Sequence, residues 1–132
     1  MKATEVMIGD IVTYECRLAK VINIANHNYK EAPTNISIQD YNGNVQHPCW
    51  DELVEPVPIT ESFLKKNFEK KTFYGIYDDY FDFSIHAFND GMYIVNYHCC
   101  EMNLPDESIT VCFIHQLQHF MNHCGINKEL VL

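Results

Sequence analysis

Three histidines near the end of the chain, His115, His119 and His123, are the residues whose type and spacing best suggest chemistry. The intervals i, i+4 and i+8 stack three imidazoles along one face of a helix, and residues 108–124 have the apolar periodicity of such a helix. Two imidazoles one turn apart can chelate Zn²⁺. The same face could instead respond to pH through histidine protonation, or simply contact water.

A zinc site in this helix would use His115 and His119, with His123 or Cys112 as a further ligand. The run from His115 to His119 resembles the zinc-peptidase pattern His-Glu-x-x-His, but Gln116 stands where that pattern has glutamate. Glutamine cannot act as a general base, so zinc-dependent hydrolysis is disfavoured. The chain has no Cys-x-x-Cys pair, which leaves little support for a structural zinc site. We therefore expect no cofactor, with zinc as the alternative.

The opposite side of the same helix is apolar and should face the core. At about 100° per residue, this side carries Phe113, Leu117, Phe120, Met121 and Cys124. The histidines must then face solvent, a partner, or another layer of the protein. Together with two tyrosines of a predicted sheet, they make up the expected interaction surface: His115, His119, His123, Tyr93 and Tyr97.

Charge and composition exclude several classes of function. The 132 residues carry 18 acidic and 9 basic side chains, a net charge of −9. Direct binding of DNA or RNA is unlikely, because phosphate contacts need a basic surface. No apolar run approaches the roughly 20 residues that span a bilayer, so no membrane association is expected. The amino-terminal residues lack the apolar core of a secretory signal, which predicts a cytoplasmic protein. Because thiols stay reduced in the cytoplasm, we expect the six cysteines to form no disulfides.

The chain divides at Pro56-Val57-Pro58, where neither a helix nor a central strand can continue. Strand signals fill residues 1–57, with a hairpin turn at Asn42-Gly43, and predict a small β-barrel of the Src-homology or KOW type. Residues 58–132 predict a helix capped by Thr60, a three-stranded antiparallel sheet, a helix beginning at Ser108, and a last short strand over 129–132. The expected fold is α+β, with these two lobes packed as one compact unit.

Several short segments resemble a family of short uncharacterised proteins from anaerobic gut bacteria and their phages or mobile elements. The matching residues are Lys2-Ala3-Thr4-Glu5 with Ile8-Gly9-Asp10, Pro56-Val57-Pro58-Ile59-Thr60-Glu61 with Leu64 and Phe68, and Ile114-His115-Gln116-Leu117-Gln118. That family usually has asparagine where this chain has Asp10. The resemblance implies an origin and a layout but no catalytic residue. It also implies that His115 is shared with the family, whereas His119 and His123 are optional.

No catalytic constellation, phosphate loop or nucleophile motif is visible in the chain, so an enzyme is the less favoured class. We expect a non-enzymatic accessory protein of a phage or mobile element that acts by binding another protein. A metal-binding protein that uses the histidines is the alternative. The sequence identifies neither the protein partner nor the oligomeric state.

Overall fold

The computed structural model describes residues 5–26, 34–50, 54–100 and 105–132. Residues Lys2, Ala3 and Thr4 of the first matching segment lie outside this part of the chain. The chain divides into two compact units, Met1–Val57 and Pro58–Leu132. Each unit is built on its own antiparallel sheet. In the described part of the chain, neither helix has the length and apolarity needed to span a membrane.

The first unit is a five-stranded antiparallel sheet with the strand order β4-β3-β2-β1-β5. The strands are β1 (Ile11–Tyr14), β2 (Arg17–Asn26), β3 (Thr34–Asp40), β4 (Val45–Trp50) and β5 (Val54–Pro56). Alternate residues of these strands are apolar, which places one face of the sheet in a core. The side chains at the centre of this core are fully buried: Val12, Val21, Ile36 and Val54.

The predicted hairpin turn at Asn42-Gly43 connects β3 to β4. The carboxylate of Asp40 organises this turn, because its Oδ1 atom accepts hydrogen bonds from the backbone N–H groups of Asn42 and Asn44, each at 2.9 Å. The side-chain amide of Asn44 donates to Oδ2 of the same carboxylate. These hydrogen bonds, the side-chain bond from Asn44 first, hold the pKa of Asp40 below its usual value.

The predicted β-barrel is wrong, because the sheet of the first unit is open. Strands β4 and β5 stand at its two edges and do not pair with each other. Closure would need continuous backbone pairing along both of these strands. β4 contains Pro48, and β5 is only three residues long and ends at Pro56. A proline has no backbone N–H to donate, so both strands suit an edge better than a closed barrel.

The second unit combines a sheet of order β10-β9-β8-β7-β6 with two helices. In chain order its elements are α1 (Glu61–Asn67), β6 (Glu69–Lys70), β7 (Tyr74–Tyr77), β8 (Phe81–Asn89), β9 (Met92–Cys99), β10 (Glu107–Val111) and α2 (Ile114–His123). Thr60 caps α1 as predicted, since its hydroxyl oxygen accepts a hydrogen bond from the N–H of Phe63 at 3.2 Å. Phe83, at the centre of the core, packs against Phe68 and Phe120, at ring-centroid distances of 6.3 and 6.1 Å.

The predicted α+β fold with a three-stranded sheet is also wrong, since the second sheet has five strands and the chain is mainly β. Residues 107–111 form strand β10, and the helix begins only at Ile114. Ile109, Thr110 and Val111 are β-branched and lose side-chain freedom in a helix, which favours a strand here. Residues 129–132, expected to form a strand, are not in one.

Candidate functional site

A groove of about 520 Å³ lies between β10 and α2 in the second unit. One wall comes from an edge strand and the other from one face of a helix. The lining residues are Glu107, Ser108 and Ile109 of β10, and Gln116, His119, Phe120 and His123 of α2. We call this feature the β10–α2 groove. Two of the three histidines of the sequence pattern, His119 and His123, therefore lie in a concave surface.

The start of α2 is fixed by the side chain of Gln116. Its Oε1 atom accepts hydrogen bonds from the backbone N–H groups of Cys112, at 2.8 Å, and Phe113, at 3.1 Å. The first N–H groups of a helix have no partner within the helix, so this side chain caps the turn. The cap explains a glutamine in the third position of the helix, where the zinc-peptidase pattern would have a glutamate.

The open end of the β10–α2 groove carries a histidine and a carboxylate. His123 Nε2 lies 3.2 Å from the carboxylate of Glu107, and the imidazole ring stacks on Phe120 at a centroid distance of 6.3 Å. Both polar side chains are about half exposed to solvent. An exposed pair of this kind contributes little to stability. The contact instead places a carboxylate and an imidazole side by side, where an incoming group could meet either of them.

The carboxylate of Glu107 also affects two groups that are not among the lining residues of the β10–α2 groove, Cys124 and Tyr97. Burial, and then the charge of Glu107, raise the pKa of the Cys124 thiol to about 11. Burial, then the neighbouring thiols of Cys99 and Cys124, and to a lesser degree Glu107, raise the pKa of the Tyr97 hydroxyl. Both groups stay protonated at neutral pH. The groove therefore has one negative side chain in its lining, Glu107, and the two groups that this charge affects are neutral.

Cys124 should react slowly with alkylating agents, because the thiolate is the reactive form. With a pKa of about 11, about one Cys124 in a thousand is ionised at pH 8. We expect iodoacetamide to modify Cys124 at least about tenfold more slowly than the exposed Cys16. Peptide mass spectrometry over a time course measures both rates. Glu107→Gln should accelerate the reaction at Cys124, and equal rates at the two cysteines would contradict the burial of this thiol.

The same pKa shift sets a direction for stability at alkaline pH. The folded protein holds the Cys124 proton more tightly than an ordinary thiol, whose pKa is 9.0. The contribution of this thiol to the free energy of unfolding is therefore fully present below pH 9 and is lost as the pH rises through about 11, because the unfolded chain loses the proton first. Urea unfolding at a series of pH values measures this loss.

Strand β10 differs from the other sheet edges in the described part of the chain. Natural edges are usually short, charged or broken by proline, which prevents unwanted pairing. β6 has two residues, both charged, while β5 has three residues and β4 contains Pro48. β10 has five residues without proline or lysine, and it pairs with β9 in unbroken register. Its first four residues are exposed to solvent. This is the edge that best suits addition of another strand.

The structure separates the five residues of the expected interaction surface. His115 is buried, with only 7% of its surface exposed, and lies against the ring of Phe113 at a centroid distance of 5.9 Å. His119 contacts the His115 ring edge-on at 5.6 Å and lines the β10–α2 groove, as does His123. Tyr93 lines a different cavity. The three histidines therefore do not form one exposed surface.

Tyr97, the fifth of these residues, is half-buried and packs against the ring of Phe81 at a centroid distance of 5.8 Å. The sequence reasoning missed the strand side of the groove, namely Glu107, Ser108 and Ile109. The β-branched residues that follow Ser108 were the signal that could have identified a strand before the helix. On the helix side, the groove contains His119 and His123 of the expected surface, together with Gln116 and Phe120.

The described residues contain no group of three or more histidine, cysteine, aspartate or glutamate side chains placed to hold a metal ion. His115 and His119 are neighbours. Cys112, which the spacing suggested as a further ligand, donates its backbone N–H to Oε1 of Gln116. Zinc binding through His115 and His119 stays a prediction from spacing.

Comparisons with known proteins do not assign the chain to a family. No protein-family model, curated protein or solved structure matches it. The geometry of the second unit therefore carries the functional argument.

Proposed function

We propose that the protein binds an extended segment of another protein, which adds as a strand to β10 beside α2. The observation that carries this proposal is the contrast between β10 and the other sheet edges. β10 alone among the described edges combines five residues, unbroken register and solvent exposure with an adjacent groove. Strand addition of this kind gains affinity from backbone hydrogen bonds and specificity from pockets for alternate side chains.

The lining of the β10–α2 groove suggests the chemistry of the bound segment. Ile109 is 41% exposed, and the Phe120 ring lies beneath the His123 imidazole, so the floor is apolar. Glu107 contributes a carboxylate at the mouth, and the whole chain carries a net charge of −9. Complementary charge favours association and selects partners. Glu107 and Ile109 are two residues apart in β10, so their side chains share one face of the sheet. The favoured segment therefore has an apolar side chain opposite Ile109 and a lysine or arginine two positions away, opposite Glu107.

Selection from a displayed library of random octapeptides tests the proposal while the natural partner is unidentified. We expect the enriched peptides to carry an apolar and a basic residue two positions apart. Methylation of single backbone nitrogens in a selected peptide should weaken binding at every second position, because alternate N–H groups of an added strand face β10. A helical ligand would instead show a dependence on every third or fourth side chain.

The matched variants are Ile109→Lys in the groove and Val45→Lys on the edge strand β4 of the other unit. Both residues are exposed, at 41% and 50%. We expect Ile109→Lys to weaken peptide binding at least about tenfold, because it places a charge on the apolar floor. Val45→Lys should leave binding unchanged. Equal binding to both variants, or a methylation pattern without alternation, would reject docking at β10.

A further inference from the structure

A second cavity in the same unit, of about 230 Å³, lies between α1 and strands β6 to β9. Leu64 and Ile85, each 2% exposed, contribute buried apolar side chains to its lining. Phe73, Tyr74 and Tyr93 supply aromatic walls. We call this feature the Tyr74 cavity. Its volume is below the roughly 300 Å³ at which pockets for drug-sized ligands begin, so it fits a smaller molecule.

Two opposite charges flank the Tyr74 ring in this cavity. The Nζ atom of Lys70 lies over the ring, 5.1 Å from its centroid. At the other end of the ring, the Tyr74 hydroxyl donates a hydrogen bond to Oε1 of Glu61 at 3.3 Å. Lys70 and Glu61 both line the cavity. Among the described residues, no ion pair joins Lys70 to Glu61. Each can therefore engage an opposite charge on a ligand.

We propose that the Tyr74 cavity binds a small zwitterion with an apolar side chain, of the chemical class of the free apolar α-amino acids. The ligand carboxylate would meet the ammonium group of Lys70, and the ligand ammonium group would meet the carboxylate of Glu61. The apolar side chain would lie against Leu64 and Ile85. A ligand with only one charge would make only one of these two charge-assisted contacts, so it should bind more weakly than a zwitterion. This inference is independent of peptide docking at β10.

Titration of the full chain with single compounds, followed by ¹H–¹⁵N NMR, tests the ligand class. The probes are L-leucine and L-phenylalanine, with 3-phenylpropionate and phenethylamine as analogues that each lack one charge. We expect L-leucine or L-phenylalanine to shift the backbone signals of Tyr74 and Ala87. Each single-charge analogue should bind about tenfold or more weakly than L-phenylalanine, because a hydrogen bond to a charged group is lost. An analogue that binds as tightly as the amino acid would overturn the proposal.

Two neighbouring lysines provide a matched control. Lys71 also lies over a tyrosine, 4.5 Å from the Tyr77 centroid, but it does not line the cavity. Tyr74 and Tyr77 are three positions apart in one strand and so point to opposite faces of the sheet. We expect Lys70→Met to weaken amino-acid binding about tenfold or more and Lys71→Met to leave it unchanged.

A third variant blocks the Tyr74 cavity without removing a charge. Ala87 is exposed and lines the cavity, so Ala87→Leu should reduce its volume without disturbing buried residues. We expect this variant to lose amino-acid binding while keeping its thermal unfolding temperature. The proposal is wrong if neither amino acid binds at 10 mM, a concentration on the order of weak metabolite binding. It is equally wrong if binding survives in both Lys70→Met and Ala87→Leu.

Discussion

Gly75→Ala should lower the free energy of unfolding of the second unit by about 3 to 5 kcal/mol, or prevent its folding. Gly75 lies in β7 opposite Ser84 of β8. A Cβ atom at this position would overlap the backbone carbonyl oxygen of Phe83, far inside van der Waals contact. The obstacle is backbone rather than a flexible side chain, so β7 and β8 would have to separate. Urea unfolding followed by circular dichroism measures the loss.

Gly125→Ala is the matched control for this glycine. Gly125 follows α2 with a φ of +74°, and a Cβ atom there would meet nothing within 4 Å. The free energy of unfolding of this control should fall only by the cost of placing alanine in a left-handed backbone conformation, roughly 1 to 2 kcal/mol. Hydrogen exchange should increase throughout β7 and β8 in Gly75→Ala and remain near the wild-type rate in the control. If the two variants lose equal stability, the close approach of β7 to β8 is not the reason for glycine at position 75.

Local signals in the sequence predicted most of the individual strands. Asn42-Gly43 marked the hairpin between β3 and β4, and Thr60 marked the start of α1. In β8, Phe81, Phe83 and Ile85 alternate with polar residues, the pattern of a strand with one covered face, and Phe83 and Ile85 are buried. These features depend on a few neighbouring residues. They can therefore be predicted before the tertiary fold is determined.

The arrangement of the strands was predicted less well, because it depends on long-range pairing. The periodicity of α2 extends backwards through 108–111 by coincidence, and pairing with β9 decides that this stretch is a strand. Two-residue β6 has no pattern of its own and exists through its register with β7. Closure or opening of the first sheet likewise depends on which edges meet. A short window of sequence does not contain this information.

The same distinction applies to the candidate site. The spacing of His119 and His123 correctly placed them on one side of a helix, where they line the β10–α2 groove. It did not reveal that His115, on the same side, is covered and buried. It also could not reveal Glu107 and Ile109 as the facing wall, because these residues become neighbours of α2 only through the sheet.

Asn67→Ala should destabilise the second unit by about 2 to 4 kcal/mol, the second large effect that we expect. Asn67 is a buried polar residue at the end of α1, only 4% exposed. Its Nδ2 atom donates to the backbone oxygens of Phe63, at 2.9 Å, and Val131, at 2.7 Å. Its Oδ1 atom accepts from the N–H of Val131 at 2.6 Å. Alanine would leave these buried groups without partners and release residues 126–132, which hydrogen exchange would detect.

Asn67→Asp gives this prediction a pH dependence. The acceptor oxygen for the N–H of Val131 remains, but a carboxylate would face the carbonyl oxygens of Phe63 and Val131. This environment favours the protonated form, so the pKa of the new carboxyl should lie above its unfolded value. Stability relative to the wild type should therefore recover as the pH falls from 7 to 4. Asn122→Ala, at an exposed position of α2, should change stability by less than about 0.5 kcal/mol. A deficit in Asn67→Asp that does not change with pH would show that the two carbonyl oxygens do not face this side chain.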